Sequence, residues 1–197
     1  MSLATRRDIR SVEQFANDIE LNTAKERVWS YVFQSQIEEK IGFCERIGNG
    51  VDNSGKIIQG NLKNNNVDYI FNFVNKLGCK KILPVEIKTI PEWLENFMTF
   101  KASSLIACVK QKGVLLVPKR YKFYLISNKT CKFFHDEYEH KIYKSFSPND
   151  LAVRILSKDI NMLIKTGKIY LKDWANTSRE MIENNWDFLS RERAKID

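Results

Sequence analysis

The sequence predicts an α/β domain in which helices flank a mixed β-sheet and a helical extension follows at the C-terminus. Three observations carry this. Strand-like segments cluster in the middle of the chain: "VDYIFNFV" (67–74), "KILPVEIKT" (81–89), "VLLVP" (114–118) and "YKFYLIS" (121–127). Segments with apolar residues at helical spacing lie before, between and after them. The strands do not alternate strictly with helices, which argues against a doubly wound parallel sheet.

The elements follow in order. Residues 11–21 are weakly helical, and a stronger helix is expected over 23–40. There Thr23 followed by Glu26 matches a capping box, Val28, Tyr31, Val32, Phe33 and Ile37 form an apolar face, and Gly42 closes the helix. "FCERIG" (43–48) reads as a short strand, and 49–66, rich in Gly and Asn, as a loop. In 67–74, Val67, Tyr69, Phe71 and Phe73 share one face, and a turn with Gly78 leads into 81–89. Residues 91–113 read as a second helix, with Pro91 in its first turn and Gly113 at its end. The two following strands, 114–118 and 121–127, precede "TCKFFH" (130–135), a further strand candidate. Residues 147–167 carry helix signals at both ends: Ser147 as N-cap, Pro148 at the first position and Gly167 at the stop. A last helix is expected over 173–193. Residues 1–135 form the α/β core on this reading, and 136–197 a helical extension packed on the same domain.

Composition bounds the function. The chain has 197 residues, 43% of them hydrophobic, enough for one domain with a core. Its net charge of +8 suits a protein that meets polyanions. The four cysteines, Cys44, Cys79, Cys108 and Cys131, form no CxxC pair and lack zinc-ligand spacing to a histidine. Together with an opening "MSLATRR" that has no apolar h-region, they lead us to expect a reduced, intracellular (cytoplasmic) setting. No apolar run approaches the roughly 18 residues of a membrane span, so no membrane partner is expected. A phosphate-binding glycine loop is also missing, which argues against nucleotide hydrolysis.

One stretch asks for chemistry. In "ILPVEIKTI" (82–90), Glu86 and Lys88 share a strand face opposite Val85 and Ile87. With a hairpin turn centred on Leu77, cross-strand partners have residue numbers summing to 154, and Asp68 falls opposite Glu86. Directly opposed like charges destabilise a sheet, so two carboxylates there call for a compensating cation. Hard oxygen ligands suit Mg²⁺, which takes one or two carboxylates, waters and a phosphate. Lys88 would reach the same site and orient or deprotonate a water, or stabilise a phosphoryl transition state. The bland reading is a solvent-facing salt bridge.

"VD" (67–68) followed by "VEIKT" (85–89) resembles the signature of the PD-(D/E)xK nuclease superfamily, the restriction-endonuclease-like enzymes. The expected order over residues 20 to 126 is also similar to that superfamily's αβββαβ core. The resemblance implies that Asp68 and Glu86 are metal ligands and Lys88 the catalytic lysine. It further implies a glutamate from the first helix near the metal, for which Glu26 is the best match; its competing role is the capping box. Val67 stands where the family usually has proline.

Other candidates are weaker. His135 and His140, with Asp136, Glu137 and Glu139, suggest either a second metal site or a charged loop. Lys101, Ser103, Ser104 and Gln111 lie on or near the expected second helix. The run 118–132 interleaves Lys119, Arg120, Lys122, Lys129 and Lys132 with aromatics, as a phosphate-binding strip or as the protective lysines of an edge strand. Trp174 and Trp186 read as packing residues.

The leading expectation is a Mg²⁺-dependent DNA endonuclease of restriction type, with Mn²⁺ as a substitute metal, DNA preferred over RNA, and a homodimer to cut both strands. In it Asp68, Glu86 and Lys88 are catalytic, Glu26 assists with the metal, and Lys119, Arg120 and Lys122 bind nucleic acid. The alternatives are a structure-specific, repair, phage or mobile-element nuclease, and a non-catalytic nucleic-acid-binding protein on the same fold.

Overall fold

The computed structural model describes residues 12–37, 41–47, 50–51, 57–58, 67–74, 77–90, 96–141 and 151–191. Helix α1 (Val12–Gln36) is followed by β1 (Ile41–Arg46), the two-residue strands β2 (Gly50–Val51) and β3 (Ile57–Ile58), β4 (Tyr69–Val74) and β5 (Lys80–Ile87). Then come β6 (Phe97–Lys101), α2 (Ala102–Lys110), β7 (Val114–Pro118), β8 (Lys122–Ser127) and α3 (Asn128–Glu137). The chain ends with β9 (His140–Lys141), β10 (Ala152–Leu156), α4 (Ser157–Lys165), β11 (Ile169–Asp173), α5 (Asn176–Asn184) and α6 (Trp186–Ser190).

The architecture is α/β with a mixed sheet flanked by helices. Six strands run in the order β1-β4-β5-β7-β8-β11. β5 and β7 are parallel, and every other neighbouring pair is antiparallel. A second sheet joins β6, β10 and β9.

Strand alternation divides the core in two. Tyr69, Phe71, Val85, Ile87, Leu116 and Phe123 face α1 and the C-terminal helices, packing on Trp29, Val32, Phe33, Trp174, Ile182 and Leu189. Leu115, Val117 and Ile126 face the other way, against Leu105, Cys108, Cys131, Phe134, Leu163 and the second sheet's Phe100, Val153 and Ile155. β5 and β7 approach closely where Gly113 enters β7: a Cβ there would lie 2.6 Å from the Pro84 carbonyl oxygen. All four cysteines are free, with Cys108 and Cys131 buried as apolar core residues.

The structure corrects several expectations. α1 is one helix from Val12, because no Gly or Pro interrupts the chain before Gly42. Thr23 and Glu26 therefore lie inside it and form no capping box. Residues 38–40, at the end of the expected helix, are outside the described residues. Residues 97–101, expected to be helical, form β6; its aromatic and β-branched residues pair with β10, Phe100 opposite Val153. Helix α2 occupies only Ala102–Lys110, and 91–95 lie outside the described residues.

The expected helix over 147–167 is also divided. Ala152, Val153 and Ile155, all fully buried, belong to β10, and only Ser157–Lys165 is helical, ending at Gly167 with φ +69°. Its expected N-cap, Ser147, and Pro148 lie outside the described residues. "TCKFFH" is part of α3, opened by Ser127, whose hydroxyl accepts from the Thr130 N–H at 3.3 Å. The C-terminal segment is not purely helical, since β11 is the edge strand of the main sheet and pairs with β8. β8 is thus an interior strand, which removes the edge-strand reading of the run 118–132. The expected 173–193 helix is two short ones that break at Asn185. Within 49–66, β2 and β3 pair as a small ladder, and the rest lies outside the described residues. No helix among the described residues is long and apolar enough to cross a membrane.

Candidate functional site

The β4–β5 ladder pairs Tyr69 with Val85, Ile70 with Pro84, Phe71 with Leu83 and Asn72 with Ile82. This is the register expected from the sequence; continued one step beyond its last pair, it would set Asp68 across from Glu86.

Asp68 is tied to both neighbouring strands. Its main-chain carbonyl accepts from the Ile47 N–H at 3.0 Å. Its Oδ2 accepts from the Ile87 N–H at 2.8 Å. The carboxylate thus takes the place of a main-chain carbonyl where the ladder ends. Glu86 lies on a central strand, opposite Leu115 of β7, and is only 4% exposed. Lys88 continues the parallel pairing, its N–H donating to the Leu116 carbonyl at 2.9 Å. The Lys88 Nζ meets Glu86 Oε1 at 2.8 Å, so the two same-face charges of the strand form one ion pair.

Glu26 reaches this group from α1. Its carboxylate lies 3.8 Å from the Arg46 guanidinium, it feels the charges of Lys88, Glu86 and Lys101, and its own charge acts on Asp68. The helix that refuted the capping box is what delivers Glu26 here: an N3 residue would be spent on the backbone, whereas a mid-helix residue projects from the side.

The electrostatics are those of a crowded acidic cluster. Burial pushes the Asp68 carboxyl well above the ordinary range, the charges of Glu86 and Glu26 push it further, and Lys88 and the Ile87 N–H only partly offset them. Burial also raises Glu26, with Lys88 the main opposing influence. Burial acts to lower the Lys88 ammonium, but Glu86, then Asp68 and Glu26, outweigh it and hold the group above its ordinary value. Lys88 is therefore charged at neutral pH, which favours an electrostatic role over that of a base.

Three carboxylates around one lysine would be relieved by a further cation. Among the described residues no three His, Cys, Asp or Glu side chains already converge as a metal cage. Mg²⁺ can be held by as few as one or two carboxylates, taking the rest of its shell from water and phosphate. The hard carboxylate oxygens of Asp68 and Glu86 are of the kind that ion takes.

The remaining candidates are placed apart. His135 Nδ1 lies 3.1 Å from Asp136 Oδ1, and His140 Nε2 lies 2.7 Å from the His135 carbonyl; the rings stack edge-on with centroids 4.6 Å apart. These contacts tie the pair to its own turn. Lys119 donates to the Ile90 carbonyl at 3.0 Å. Arg120 makes two hydrogen bonds to Glu183, at 3.1 and 2.7 Å, and lies over Trp186 at 4.7 Å. Lys122 is exposed at the start of β8. Trp174 is buried, stacked at 5.9 Å on Trp29, as a packing residue. Arg46 was not foreseen, because a lone arginine in a short strand carries no motif; only the β1–β4 register, Arg46 opposite Tyr69, brings it to the cluster.

No protein-family model matches the chain, and no curated protein matches it.

Proposed function

We propose that the chain is a metal-dependent phosphodiesterase, a DNA endonuclease of the restriction-endonuclease-like PD-(D/E)xK kind. The observation that carries this is the junction of Asp68, Glu86 and Lys88 at one end of β4 and β5, with Glu26 behind it.

In this reading Asp68 and Glu86 hold Mg²⁺, or Mn²⁺ in its place, with Glu26 as a further acidic group. The bound cation would supply a nucleophilic water and offset charge on the phosphate. The chain's own residues do the rest. The Ile87 N–H fixes the Asp68 carboxylate, so its remaining lone pairs keep one direction. Glu86 holds the Lys88 ammonium at the rim, where it stabilises the charge that develops on phosphate oxygens. The +8 net charge draws the polyanion in. Two active sites are needed to cut both strands, which favours a homodimer.

The test is a cleavage assay on supercoiled plasmid and on mixed-sequence DNA, with and without Mg²⁺. Metal-dependent cutting by the native chain and none by Glu86→Ala is expected. Tight DNA binding in EDTA, with no cutting of any substrate in Mg²⁺ or Mn²⁺, would favour the non-catalytic binding protein instead.

A further inference from the structure

A second feature lies just beyond the acidic cluster. A cavity of about 410 Å³ is lined by Ile90, Lys119, Tyr121, Lys122, Tyr124 and Asn161, among others. Ile90 is two residues past Lys88, about 7 Å along an extended chain. It packs on the same apolar layer as Leu115, which is paired with Glu86. The cavity therefore lies on the face of the sheet that carries Glu86 and Lys88, and at the same end.

Its lining combines what nucleotides need. Lys119 and Lys122 are cations, placed by the turn between β7 and β8. Tyr121 is 60% exposed, a large aromatic surface left in water. Its ring is held in place: the Arg120 guanidinium lies over it at 5.3 Å, and Arg120 is itself gripped by Glu183 and Trp186. Tyr124 adds a second ring, and the Asn161 amide offers a donor and an acceptor suited to a base edge. The volume falls within the range of small-ligand sites and suits one nucleotide. A duplex, with its bases stacked inside, could not offer a base to Tyr121.

We propose that this cleft receives one unpaired nucleotide adjoining the phosphate at the acidic cluster, so the preferred substrate is single-stranded or locally opened nucleic acid. The base stacks on Tyr121, and the flanking phosphates meet Lys119 and Lys122. The position relative to a scissile phosphate rests on the nuclease reading above.

The test measures binding by fluorescence anisotropy, in EDTA, for a short single-stranded oligonucleotide and for its duplex. The native chain should prefer the single strand. Tyr121→Ala should weaken single-strand binding roughly tenfold and leave duplex binding alone, while Tyr121→Phe retains it. Lys122→Ala should lower the slope of log affinity against log salt by about one. Both residues are exposed, so neither variant threatens the fold. Equal binding of both forms, or a neutral Tyr121→Ala, would overturn the cleft even if the enzyme cuts DNA with Mg²⁺. Tyr121-dependent single-strand binding by a chain that cuts nothing would keep the cleft and sink the nuclease.

Discussion

The Asp68 carboxylate accepts a hydrogen bond from the Ile87 N–H at 2.8 Å, closing the β4–β5 ladder with a side chain where the main-chain pairing stops. The same contact that finishes the sheet fixes an acid in the candidate site. Structure and chemistry at Asp68 can therefore be separated by substitution. Asp68→Asn keeps an acceptor for Ile87 and should fold normally while losing at least about a hundredfold in cleavage. Asp68→Ala also strands the Ile87 N–H, on a residue that is fully buried. It should cost about 1–3 kcal/mol, seen as a fall in melting temperature of roughly 2–4 °C per kcal/mol. Undiminished cleavage by Asp68→Asn would contradict the role proposed for Asp68.

The metal-free protein should lose stability as pH rises through the range in which Asp68 ionises. Burial, Glu86 and Glu26 raise the Asp68 carboxyl well above its ordinary value of 3.8. Between the ordinary and the raised value, the folded chain holds a proton that the unfolded chain has released. Stability then falls with increasing pH. Glu26 contributes in the same direction. Melting curves against pH in EDTA should show this decline, and Asp68→Asn should flatten it. A stability that climbs through the same range in the native chain but not in the variant would refute the cluster's electrostatics.

Lys88 and Glu86 should behave as a unit. The Glu86 side chain is 6% exposed and that of Lys88 24%, so removing the lysine leaves a nearly buried carboxylate without its partner. Lys88→Met should cost about 2–3 kcal/mol, less than for a fully buried pair because Lys88 reaches solvent. The double variant Lys88→Met, Glu86→Gln should be less destabilised than the two single costs added together. Denaturant titrations of the four chains measure this. Strict additivity would show that the ion pair does not matter to the fold.

The C-terminal segment should unfold with the rest. Trp174 is 2% exposed, its ring 4.3 Å from Phe123 of β8, and its indole N–H donates to the Lys119 carbonyl at 2.8 Å. Trp174→Ala should cost about 3–5 kcal/mol and shift one cooperative transition. A separate early transition confined to residues 174–191, seen by hydrogen exchange, would mean that the segment is an appendage.

What the sequence allowed a reader to see follows from locality. The β4–β5 hairpin was legible because alternation and a short turn fix its register, and that register is what put Asp68 opposite Glu86. Residues 97–101 and 152–156 were not. Each is a short apolar run beside a true helix, where periodicity alone does not separate strand from helix. What decides is their mutual pairing, Phe100 with Val153, across a long stretch of sequence. β11 was hidden likewise: "IYLKD" owes its strand to β8 alongside it. Glu26 carries two readings because Thr23 precedes it by three residues, and the continuity of α1 removes the capping-box one. Arg46 was hidden in the same way, because only the β1–β4 register places it; the basic, aromatic run 118–132 was legible, but its meeting with Ile90 and Asn161 was not.

The most direct measurement is a calorimetric titration of Mg²⁺ and Mn²⁺ into the native chain, Asp68→Asn and Glu86→Gln, without nucleic acid. Binding to the native chain is expected, lost or strongly weakened in both variants. At saturation, a hundredfold above the dissociation constant, the metal should also stabilise the fold by about 2.7 kcal/mol. Binding that is absent in the native chain, or undiminished by both substitutions, would contradict the assignment of Asp68 and Glu86 as a cation site.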